Sequence, residues 1–96
     1  MSEIEIKPYD GAKFFGDAED QRFLVEEAFA SGDRAFIAQA LGTVARARGM
    51  TALAEQTGIK RQALYTALSS AGNPTLDSLL KVLTALNLKL RVETAS

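Results

Sequence analysis

The 96-residue chain has no cysteine and no histidine. The first absence excludes a disulfide scaffold, a thiolate metal site and a cysteine nucleophile. The second removes the commonest general base and the commonest metal ligand. No apolar run approaches the roughly 20 residues of a membrane span. The opening Met1-Ser2-Glu3-Ile4-Glu5 is acidic and lacks the basic-then-apolar layout of a secretory signal. A glycine-rich phosphate loop is missing too, because Gly11 and Gly16 have neither the spacing nor the lysine. The acid pairs Glu19/Asp20 and Glu26/Glu27 are helix neighbours that point about 100° apart, so neither converges on a catalytic site. We therefore expect a cytoplasmic binding protein, not an enzyme, with no metal and no cofactor.

What is present fits one small domain: 47% hydrophobic and 24% charged residues, an ordinary globular balance. The net charge of −1 hides an asymmetry. Residues 1–33 carry nine acidic and three basic side chains, a net of −6. Residues 34–96 carry eight basic and three acidic ones, a net of +5. Such a split hints at an anionic partner for the basic part.

Five helices are expected. Asp17 is a candidate N-cap, with Glu19 and Asp20 at the positive end of the dipole, and Phe23, Leu24, Val25 and Ala28 form an apolar face. Ser31-Gly32 ends that helix and Asp33 caps the next, where Phe36, Ile37, Ala40, Leu41, Val44 and Ala45 keep three–four spacing. Gly49 closes it after Arg46 and Arg48. Thr51 is the next candidate cap, and Gly58 ends that helix. A fourth helix runs from about Lys60 to Ser69, with Ala63, Leu64 and Leu68 inward. After Asn73-Pro74, Thr75 caps a last helix striped with Leu76, Leu79, Leu80, Leu83 and Leu86. Residues 88–93 alternate and read as a strand whose natural partner is Ile4–Ile6, in the same chain or a second copy. The expected division is an acidic arm over residues 1–16 and a helical domain over 17–96.

Residues 50–69 carry the functional signal. Two short helices flank Thr57-Gly58-Ile59, which is the sequence form of a helix-turn-helix. Ala54 is small where the helices cross, Gly58 permits a positive φ, and Ile59 and Leu64 plug the angle between them. The second helix then presents a polar face suited to the major groove of double-stranded DNA. Arg61, Gln62 and Thr66 are candidates for base contact: Arg61 to guanine, Gln62 to adenine, Thr66 to a thymine methyl. Thr51, Lys60, Tyr65, Ser69 and Asn73 are candidates for phosphate contact. Arg46 and Arg48 are further candidates, with a solvated helix end as the plainer reading. So few cations per copy suggest a dimer on two half-sites, with the last helix (Leu76, Leu79, Leu83) or the Leu88–Val92 strand as its surface.

The chain resembles the helix-turn-helix antidote proteins of bacterial addiction modules, type II antitoxins akin to the HigA group with an XRE/Cro-like DNA-binding domain. The matching residues include Ala45-Arg46-Ala47-Arg48-Gly49-Met50, Leu53-Ala54-Glu55-Gln56-Thr57-Gly58, Leu64-Tyr65-Thr66-Ala67-Leu68 and Gly72-Asn73-Pro74. Asn87 stands where the family usually has glycine, and asparagine also tolerates the left-handed conformation. The resemblance implies an all-α, five-helix, phage-repressor-like fold with short extended ends. It implies neutralisation of a RelE/ParE-type toxin and repression of the protein's own operon. Asp10, Phe14, Phe15 and Asp17 are then candidate toxin contacts, since an acidic arm suits a basic toxin. A stand-alone repressor without a toxin would use the same DNA face.

Overall fold

The structure, a computed structural model, describes residues 17–95. Helix α1 spans Ala18–Ser31, α2 Arg34–Arg48, α3 Met50–Thr57, α4 Arg61–Ala67 and α5 Leu76–Ala85. The all-helical class and the five expected helices are borne out, and there is no strand among the described residues. None of these helices is long and apolar enough to cross a membrane.

Short polar side chains start three of the helices. The Asp17 carboxylate accepts from the Asp20 N–H at 2.9 Å, Asp33 from Ala35 at 3.0 Å and Thr75 from Ser78 at 3.1 Å. Each satisfies a donor that the first helical turn leaves unpaired. Thr51 has no such role: α3 begins at Met50, directly after Gly49, which at φ 111° is both the last cap of α2 and the first cap of α3. The sharp turn leaves no room for a separate cap, and Thr51 lies exposed inside the first turn.

Leu41, Val44, Leu64, Val82 and Leu86 are the largest fully buried side chains. They join Val25, Met50, Leu53, Leu68 and Leu83 in one core. Helix α1 packs on α2, α2 on α3, and α3 on both α4 and α5, so α3 is the hub and α4 hangs from it. Four expected core positions are corrected. Phe23 is 57% exposed, Ala63 is exposed, and Leu76 and Leu80 of the α5 stripe face solvent. In α1 Val25 and Ala28 are buried as expected, together with Gln21, on the side of the helix away from Phe23.

The expected C-terminal strand is also corrected. Leu88 donates its N–H to the Leu83 carbonyl at 2.8 Å, and Asn87, at φ 62°, donates to Thr84 at 3.0 Å. This pair of bonds is the Schellman stop of a helix, and Leu88 packs against the core. The first residue of the alternating run is thus used to end α5. Leu90 and Val92 beyond it lie exposed and belong to no strand among the described residues. The proposed partner, Ile4–Ile6, falls outside the described residues.

Candidate nucleic-acid interface

The position of α4 is set by local devices in the turn before it. Gly58, at φ 76°, donates its N–H to the Ala54 carbonyl at 2.9 Å and so ends α3 in the left-handed conformation. Buried Thr57 donates its hydroxyl to the Leu53 carbonyl at 2.9 Å and accepts the Ile59 N–H at 3.2 Å. The turn is thereby tied to the last turn of α3. Ile59 packs against the core and Leu64 is 1% exposed, so α4 is fastened along one face.

The other face of α4 is polar. Arg61, Gln62, Tyr65 and Thr66 are exposed and Ser69 is half-buried. Their spacing places them along one side of the helix and its exit. The Arg61 guanidinium carbon lies 5.8 Å from the Tyr65 ring centroid, within cation–π range. The Thr66 hydroxyl donates to the Gln62 carbonyl at 3.2 Å and the Ser69 hydroxyl to the Thr66 carbonyl at 2.8 Å. Lys60 stands exposed at the start of α4, and Thr51 and Asn73 are exposed on the flanking elements.

The two arginines of α2 differ. Arg46 is exposed, with its guanidinium 3.5 Å from the Thr43 hydroxyl. Arg48 donates from Nε to the Gln21 amide oxygen at 2.6 Å. Gln21 is 3% exposed, so this bond joins the end of α2 to the buried side of α1. Of the acidic candidates, Asp17 is the exposed cap of α1, whereas Asp10, Phe14 and Phe15 lie outside the described residues. On α1 the Arg22 guanidinium bridges Glu19 at 3.2 Å and Glu26 at 2.9 Å. The hydrogen bond to Glu19, then the charges of Glu26 and Glu19, hold it above its already high ordinary pKa.

Two contacts that orient the polar face are not evident from spacing. Arg34, at the start of α2, donates to the Gly72 carbonyl just beyond α4. Gly42, in the middle of α2, lies against the end of α4: a Cβ there would sit 2.3 Å from the Leu68 carbonyl oxygen. The one sequence signal was a lone glycine inside a helical pattern, which often marks close packing. Together Arg34 and Gly42 brace the exit of α4 from the α2 side.

A family model described as probable addiction module antidote protein matches residues 5–94. An uncharacterized protein of Haemophilus influenzae is 38% identical over 89 residues, covering 93% of this chain and 92% of the relative. No solved structure matches the chain. With nearly its whole length matched by both comparisons, the chain belongs to the family of probable addiction module antidote proteins.

Proposed function

We propose that the protein is the antitoxin of a type II toxin–antitoxin module. It neutralises a RelE/ParE-type toxin and, as a dimer, represses its own operon through a Cro-like helix-turn-helix formed by α3 and α4. Its role is binding, not catalysis. The observation that carries the DNA reading is the exposed polar row Arg61, Gln62, Tyr65 and Thr66 on a helix anchored by buried Leu64. A helix of this build can enter the major groove with its first turn against base edges. Arg61 would bond guanine and Gln62 adenine in bidentate fashion. The hydroxyl of Thr66 already serves the backbone, so the side chain offers its methyl group to thymine. Lys60, Tyr65, Thr51, Ser69 and Asn73 would hold phosphates, with Arg46 reaching the flanks.

Fluorescence anisotropy with the promoter region of the gene tests this reading. Arg61→Ala should cost about 1–3 kcal/mol per half-site and flatten the preference for the operator over random DNA. Lys60→Ala should weaken both DNAs alike and lower the salt slope by about 1. Equal losses on operator and random DNA for Arg61→Ala would refute base reading by α4.

A further inference from the structure

Helix α1 turns an unusual face outward. Phe23 is 57% exposed, although large aromatic side chains normally supply core area. Glu19 and Glu27 stand one turn before and one turn after it, and all three are exposed. Spacing of four places them in one stripe. Arg22 clamps Glu19 and Glu26 beside the ring, while Glu27 has no ion-pair partner among the described residues. Residues 17–33 hold six carboxylates against one arginine. The result is an aromatic ring framed by partly pre-oriented acidic groups.

This face is unsuited to DNA, whose phosphates would be repelled by it. It is carried by a different helix from the polar row of α4: α1 packs on α2, whereas α4 packs on α3. A ring surrounded by charges of one sign suits a protein partner of the opposite sign. The acids steer the encounter, and the ring, covered on binding, supplies the anchor.

We propose that the outer face of α1, centred on Phe23 and flanked by Glu19, Glu26 and Glu27, docks a basic protein that receives the phenyl ring in an apolar pocket. This inference rests on the antitoxin reading and identifies that partner with the toxin. The surface continues from Asp17 at the start of the same helix.

The test is titration calorimetry of the full chain against the product of the reading frame adjacent to its gene. Phe23→Ala should weaken binding about 30-fold or more, as loss of an interface anchor does. Glu27→Lys should weaken it and reduce its salt dependence. Both variants should keep wild-type operator affinity and helical circular dichroism. If wild type binds the adjacent product and both variants bind it equally well, the docking face is overturned while the antitoxin reading stands. If wild type does not bind that product, the antitoxin reading falls and takes this inference with it. Two further results overturn the docking face: Phe23→Ala that lowers the melting temperature with toxin affinity unchanged, which assigns the ring to packing within its own chain, and Phe23→Ala that dissociates a homodimer with toxin affinity unchanged, which assigns it to a second copy.

Discussion

Replacing Gly42 with alanine sets two effects of opposite sign against each other. Gly42 lies inside α2, where alanine favours the helix by about 1 kcal/mol. Propensity alone therefore expects a more stable protein. The packing expects the reverse. The new Cβ would sit 2.3 Å from the Leu68 carbonyl oxygen and 3.3 Å from the Arg46 guanidinium. Real Cβ contacts essentially never fall below 3.0 Å, so the Leu68 carbonyl must retreat by about 0.7 Å. That atom is backbone at the end of α4, not a side chain that swings aside. Overpacking of this kind costs about 1–3 kcal/mol, and the rigid neighbour favours the upper part of that range. After the propensity gain, a net loss of about 1–2 kcal/mol remains. In a domain of this size that lowers Tm by roughly 4–16 °C. Thermal unfolding followed by circular dichroism measures it. Because the displaced carbonyl belongs to α4, operator affinity at a temperature where both proteins are folded should fall as well. Asp17→Ala is the control: it removes the cap of α1, which packs on α2, costs about 1 kcal/mol and should leave operator affinity unchanged. A Gly42→Ala protein that melts higher than wild type would show that the close approach is relieved at no cost, and the reasoning would be refuted.

Other substitutions test the turn and the arm. Gly58→Ala should destabilise by about 1–2 kcal/mol through the left-handed backbone alone, since nothing lies within 4 Å of the added Cβ; urea denaturation gives the value, and no change would mean that the turn relaxes to negative φ. Thr57→Val keeps the shape but removes the hydroxyl that joins Leu53 to Ile59, so a loss of about 1–3 kcal/mol is expected in the same assay. Deleting residues 1–16 should weaken the toxin complex in calorimetry and leave operator affinity intact; unchanged toxin affinity would remove Asp10, Phe14 and Phe15 from the candidates.

Local chemistry was legible in the sequence and distant contacts were not. Asp17, Asp33 and Thr75 announce helix starts because a short polar side chain reaches only its own first turn. Gly32, Gly58 and Asn87 announce stops because few residues tolerate positive φ, and all three adopt it. The misreadings have equally local causes. Thr51 has the chemistry of a cap, but Gly49 had already turned the chain. Leu88 has the alternation of a strand, but it is used to close α5. Phe23 was assigned inward by residue type, while Gln21 is buried in its stead because Arg48, 27 residues away, bonds its amide. Arg34 with Gly72 spans 38 residues, and no spacing rule links such a pair. The polar row of α4 was readable because four residues of one short helix carry it; the brace that holds that helix was not.

The most direct test of the central claim is growth rescue. The reading frame beside this gene is expressed in bacteria under tight control, with and without this protein. The antitoxin account predicts that the neighbour alone arrests growth and that co-expression restores it. A neighbour that is harmless by itself, or whose arrest this protein does not lift, would contradict the account.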